Sequence, residues 1–217
     1  MESAMIVIFK IVILIFSVVI HEVSHGYAAL ALGDKTAQHA GRLTLNPVKH
    51  LDVFGSLLLP GMMALLGGPV FGWAKPVPYN PYNLQNQKWG PAIVGAAGPL
   101  ANIAIALCFG LFIRFWHAPV GIAYMQAGSA LFIFLNNFAV IAGAIAILNL
   151  VLAVFNLIPI PPLDGSKVLF ALLPYNWRHL QEALERYGMF LLLIFIFFFA
   201  QWLSPIIDIL FRLIVGR

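Results

Sequence analysis

Four stretches of the chain stay apolar for longer than a soluble core helix requires. Ala4 to Leu32, Ala92 to Phe115, Leu131 to Ile158 and Gly188 to Leu213 are each bordered by glycine, proline or charge. Each is long enough to cross a hydrocarbon core of about 30 Å at about 1.5 Å per helical residue. They predict four membrane-spanning helices. A fifth stretch, Val53 to Trp73, has the length, but Pro60-Gly61 breaks its centre and Gly67-Gly68-Pro69 its end, so it makes a poor straight helix. Between Thr36 and Pro47 the run Gly-Arg-Leu-Thr-Leu-Asn-Pro alternates polar and apolar residues and predicts a short strand or β-hairpin. The first stretch offers small residues at Ala28 to Ala31, yet its apolar length far exceeds a signal core of about 7–15 residues. It is expected to remain as a span and not to be cleaved.

Composition turns this pattern into a class. Hydrophobic residues make up 62% of the 217 and charged residues only 9%, against about 25% charged in an ordinary soluble domain. So few charges cannot supply a polar outer layer, and the expectation is one all-α polytopic membrane domain over residues 1–217. The net charge of +4 is carried by basic residues spread singly between apolar runs. Without a basic cluster no nucleic-acid partner is expected, and these residues read as topology determinants. The one cysteine, Cys108, excludes a disulfide within the chain and a cysteine-built metal site.

Against that apolar background, chemistry-bearing residues are few. His21-Glu22-Val23-Ser24-His25 follows a long, mostly apolar run. The i, i+4 spacing stacks the two imidazoles on one helix face, where both can reach one metal ion, with Glu22 beside them as a candidate base. In a soluble helix the same three residues would read as a solvated face. Inside a membrane helix each charge costs about 2.5–3.5 kcal/mol on insertion scales, so the cluster demands a compensating partner, and bound zinc supplies one.

A hydrolytic zinc site needs a third protein ligand and an open position. Glu2, Asp34, Asp52, Glu182 and Glu185 lie outside or at the edges of the spans, Asp208 has Arg212 one turn away, and His39, His50, His117 and His179 fall in loops. Asp164 remains. It closes the run Asn156-Leu-Ile-Pro-Ile-Pro-Pro-Leu-Asp164-Gly165, whose prolines end the third span and whose Gly165 allows a tight turn. The plainer alternative is a helix-capping aspartate at the membrane interface.

With these residues in view the chain resembles the site-2 protease family of intramembrane zinc metalloproteases, in its compact form without an added regulatory domain. The HExxH motif stands at His21 to His25, the Asn/Pro/Asp-Gly motif at Asn156 to Gly165, and Gly98-Pro-Leu-Ala-Asn102 is similar to a third family pattern. The resemblance spans residues 4–165. It implies that His21, His25 and Asp164 bind one zinc ion, that Glu22 activates a water and shuttles its proton, and that Asn156 helps bind substrate or the developing oxyanion. For Gly98 and Asn102 the favoured reading is close helix packing through small and polar residues.

Sharing one metal constrains topology. His21 and His25 lie toward the C-terminal part of the first span and Asp164 follows the end of the third, so the two spans must run in the same direction. Only Ala92 to Phe115 can provide the return crossing, which makes Val53 to Trp73 a re-entrant or interfacial segment. The basic residues then divide as Lys35, Arg42, Lys49, Lys75, Lys88, Lys167, Arg178 and Arg186 on one side against Arg114, Arg212 and Arg217 on the other. That excess names the cytoplasmic side and puts the zinc nearer to it, in the cell membrane expected of a prokaryotic protein. Lys10, inside the first span, can snorkel outward.

The expected partners are the lipid bilayer and a transmembrane protein substrate whose helix must be unwound before cleavage. The Arg42 to Leu45 strand could pair with such a peptide, or merely cover the mouth of the site. The proline-rich run from Trp73 to Tyr82 is expected to lie extended at the interface and is assigned no chemistry. The last span reads as structural, with a substrate gate as the other possibility. A membrane ion or metal transporter using the same buried His/Asp cluster is the rival function; it has no visible inverted repeat to support it.

Overall fold

The computed structural model describes residues 4–52, 74–116 and 130–216, together with the isolated positions 58 and 62. Its helices are α1 (Ala4–Ala31), α2 (Thr36–His39), α3 (Gly90–Trp116), α4 (Ala130–Asn156), α5 (Asp164–Leu172), α6 (Arg178–Phe198) and α7 (Leu203–Val215). Three of them, α1, α3 and α4, are each long and apolar enough to cross a membrane, and α6 with α7 makes a fourth crossing if the bent pair counts as one. The chain is therefore an integral membrane protein, mostly helical among the described residues, as its hydrophobic pattern predicts.

The three long helices pack through small residues. Buried Ala139, Ala142, Ala146 and Ala153 form a seam on α4, and Gly95, Gly98, Ala106 and Gly110 lie on α3. Small side chains let helix backbones approach closely where lipid gives no hydrophobic drive to associate. Directions follow from the cross-links. On α1 the order Ser17, His21, His25 meets Asn102 and then Val94 on α3, so those two helices are antiparallel. Ser17 meets Asn149 and His21 meets Asp164, so α1 and α4 run the same way. This is the arrangement that a shared metal requires.

The predicted re-entrant segment Val53 to Trp73 lies outside the described residues. Its two flanks sit together, however: the Lys75 N–H donates to the His50 carbonyl at 2.9 Å, at the C-terminal end of α1. Asp34, fully buried at the same end, gathers both flanks into one knot. Its carboxylate accepts from the Thr36 N–H and hydroxyl, from the Asn80 N–H at 2.7 Å and from the Asn83 amide at 2.9 Å. Burial alone would raise this carboxyl; the donors outweigh it and hold it below the ordinary carboxylate range. A depressed pKa gives stability that is full above the unfolded-state value of about 3.9 and is lost as pH falls through and below it. The unfolding temperature should therefore drop on acidification below about pH 4, and Asp34→Asn should flatten that drop while lowering stability at neutral pH.

Two expectations need correction. Among the described residues there is no strand, so the hairpin near 36–47 is absent. Instead the helical turn α2 begins at Thr36, whose N–H donates to Asp34, Gly41 takes a left-handed turn at φ +61°, and the Asn46 side chain accepts from the Val48 N–H to open a 3-10 turn over Pro47–His50. Arg42, expected on a strand edge, is buried and its guanidinium donates to the Lys75 carbonyl at 2.7 Å. The last span is not one helix from 188 to 213. It begins at Arg178 and bends by 64° through a 3-10 turn at Ala200–Trp202. Pro205 lacks the N–H that a continuous helix would give to the Gln201 carbonyl, and its ring clashes there.

Candidate metal centre

The site begins with the register of α1. Ser17, His21, His25 and Ala29 repeat every four residues and are all buried, so one face of the helix turns them inward together. The His21 and His25 rings meet edge to face with centroids 4.7 Å apart. Asp164, the first residue of α5, comes from the opposite direction. The turn 157–163 that delivers it is tight because Gly165 packs directly beneath the Leu157 carbonyl, with no room for a Cβ. Gly165 thus serves the tight turn through close approach, with no left-handed φ required.

Three atoms converge. His21 Nε2 and His25 Nε2 lie 3.1 Å apart, and each is 3.0 Å from Asp164 Oδ2. Their other ring nitrogens are committed: His21 Nδ1 donates to Asn102 Oδ1 and His25 Nδ1 to the Val94 carbonyl, both at 2.6 Å. In neutral imidazoles that donate from Nδ1, both Nε2 atoms present lone pairs toward a carboxylate oxygen. Three acceptors facing one point repel unless a cation lies among them, and two imidazoles with one carboxylate are a zinc donor set. The space is kept clear by Gly98, where a Cβ would lie 2.5 Å from His25 Nε2 and 2.6 Å from His21 Nε2.

Asn102 and Gly98, read from sequence as packing residues, are thus in contact with the histidines. Behind Asn102 lies a buried chain of amides. Asn102 Nδ2 donates to Asn149 Oδ1 at 2.7 Å, and Asn149 Nδ2 donates to the Ser17 hydroxyl at 2.9 Å and to the Ile145 carbonyl. These bonds fix which way each amide faces, and so aim Asn102 Oδ1 at His21. Asn149 is not among the residues singled out from sequence; an amide within an apolar span is the signal that could have found it, and the structure buries it fully. Asn149→Leu leaves the Asn102 amide short of a partner and should destabilise the protein by about 1–3 kcal/mol, read as a lower unfolding temperature.

Glu22 lines a cavity of about 370 Å³ beside the histidines, with Asn156, Val77, Asp164 and Lys167 among its other walls. Glu22 Oε2 accepts from the Val77 N–H at 2.7 Å. The proline-rich segment that was assigned no chemistry therefore anchors the candidate base, with Arg42 latching the segment at Lys75. Asn156 faces the cavity but turns Nδ2 back to the Leu152 carbonyl of its own helix at 2.9 Å. Lys167 donates to Asp164 Oδ1 at 2.8 Å. Burial favours the neutral amine, but the Asp164 carboxylate outweighs it and raises the Lys167 pKa above its ordinary value.

A helical membrane bundle that brings an HExxH pair and a distant aspartate to one point has the build of a membrane metalloprotease, and comparison with known proteins agrees. The profile of Peptidase family M50 matches residues 114–199. The chain is 38% identical over 199 residues to YwhC of Bacillus subtilis, named as a zinc metalloprotease, covering 91% of this chain and 81% of that one. It is 34% identical over 152 residues to Rip2 of Mycolicibacterium smegmatis and 30% identical over 181 residues to Rip2 of Mycobacterium tuberculosis, both also named as zinc metalloproteases. Those alignments cover 70% and 83% of this chain, and 52% and 63% of the mycobacterial proteins. No solved structure matches it significantly. The chain belongs to peptidase family M50, the site-2 protease family. It is a metalloprotease, and its family implies zinc.

Proposed function

We propose that this protein hydrolyses peptide bonds within or near the transmembrane helices of other membrane proteins, using one zinc ion held by His21, His25 and Asp164. The observation that carries this reading is the convergence of two imidazole lone pairs and a carboxylate oxygen at 3.0–3.1 Å inside a membrane bundle. Zinc held there would supply a water acidified from far above the physiological range to around neutrality and would polarise a substrate carbonyl. Glu22, tethered through Oε2 by the Val77 N–H, takes the proton at Oε1 and returns it to the leaving amide nitrogen. Asn156 donates its remaining amide proton toward the substrate oxygen.

The site lies at the end of the bundle where Lys35, Arg42, Lys49 and Lys75 gather, which supports placing the zinc nearer the cytoplasmic face. At the far end Arg114 donates to the Leu213 carbonyl, a contact that supports the same division of basic residues. The transporter alternative finds no favouring observation. The test is to reconstitute the purified protein with a transmembrane substrate, strip the metal with a chelator and restore zinc. Cleavage inside the span, mapped by mass spectrometry, should vanish and return; cleavage that persists after stripping, or maps only to soluble loops, would overturn the reading.

A further inference from the structure

Asp164 divides its two oxygens between different tasks. Oδ2 faces both histidines at 3.0 Å, whereas Oδ1 accepts from Lys167 Nζ at 2.8 Å. Lys167 is one helical turn along α5 and its side chain is partly buried. The surroundings form a seat for it. On α3, Gly95 leaves a notch in which an added Cβ would lie 2.9 Å from Lys167 Cδ. Across the cavity the Tyr79 ring lies beneath the ammonium, 5.6 Å from ring centroid to Nζ. Lys167, Tyr79 and Pro162 also line a second cavity of about 810 Å³, so the lysine stands at the boundary between that space and the metal centre.

A carboxylate can bind zinc through one oxygen or through both. Three protein ligands leave a hydrolytic zinc one open position, and a second carboxylate oxygen would compete for it. We infer that Lys167 is a positioning residue that engages Asp164 Oδ1 and so holds Asp164 as a single-oxygen ligand, keeping the fourth position open. This rests on the zinc site proposed above. Lys167 acts through Asp164, and removing such a supporting partner typically costs about 10–100-fold in metal affinity.

The test uses the full-length protein in detergent, stripped and reloaded with Co²⁺ for spectroscopy or Zn²⁺ for affinity by chelator competition. Wild type should show the intense visible bands of four-coordinate cobalt, and His21→Ala should abolish them. Lys167→Met should weaken and shift those bands toward five-coordination and lower zinc affinity about 10–100-fold. It should reduce kcat on a transmembrane substrate with little change in KM. Lys167→Arg should restore most of each property, and Lys167→Leu gives the same reading if the methionine variant does not fold. A wild-type-like cobalt spectrum and zinc affinity in Lys167→Met or Lys167→Leu would overturn this role alone. Wild-type cobalt bands that His21→Ala leaves in place would overturn the zinc site itself, and this role with it.

Discussion

Replacing Glu22 by Gln should give a protein that folds and binds zinc as the parent does yet loses about 10²–10⁴-fold of its cleavage rate, the usual contribution of a general base. Gln has nearly the same shape and retains a carbonyl oxygen to accept from the Val77 N–H, the 2.7 Å bond that tethers the Glu22 side chain. Neither histidine nor Asp164 uses Glu22 as its partner: the histidine Nδ1 atoms are held by Asn102 and Val94, and Asp164 Oδ1 by Lys167. The substitution therefore removes one capacity, that of accepting and returning a proton, while leaving the donor set whole. Metal analysis of the purified variant beside a cleavage assay on a transmembrane substrate separates the two. Cleavage within tenfold of the parent would take Glu22 out of the proton transfer. An equal loss of zinc would mean that it supports the metal instead.

The sequence made the three converging side chains legible because an apolar chain leaves few alternatives. His21, His25 and Asp164 stand out wherever the solvent is lipid, and the demand that they meet orders α1, α3 and α4 without reference to coordinates. What stayed hidden depends on which helix faces which. Asn102 and Asn149 are 47 positions apart, and only the packing of α3 on α4 joins them into the amide chain behind His21. Val77 acts through its backbone N–H, which carries no residue identity at all. The hairpin failed for a related reason: alternation over a few residues describes an extended chain but supplies no partner strand, and the Asn46-Pro47 pair opens a 3-10 turn instead. The bend at Ala200–Trp202 could have been foreseen, since Pro205 stands in the sequence within a run that was read only for its hydrophobicity.

Gly98→Ala should abolish zinc binding in a protein that is otherwise folded. In a helix interior this substitution ordinarily stabilises by about 0.5–1 kcal/mol, because alanine loses less backbone entropy. Here the new methyl would lie 2.5 Å from His25 Nε2 and 2.6 Å from both His21 Nε2 and His25 Cε1. The imidazoles cannot withdraw freely, since each is pinned by a 2.6 Å bond from Nδ1, one to Asn102 and one to the Val94 carbonyl of the same helix that carries Gly98. Local relief therefore comes from rotating a ring and breaking its bond, which also turns the Nε2 lone pair away from Asp164. Zinc affinity should fall by more than the roughly 100-fold expected for a lost supporting contact, and cleavage with it, while circular dichroism stays that of a helical protein. Gly143→Ala on α4 is the control, because its added Cβ would meet only Ile113 Cδ1 at 3.8 Å. If Gly98→Ala bound zinc as tightly as Gly143→Ala, the metal could not be held between the two Nε2 atoms, and the centre would have to lie elsewhere.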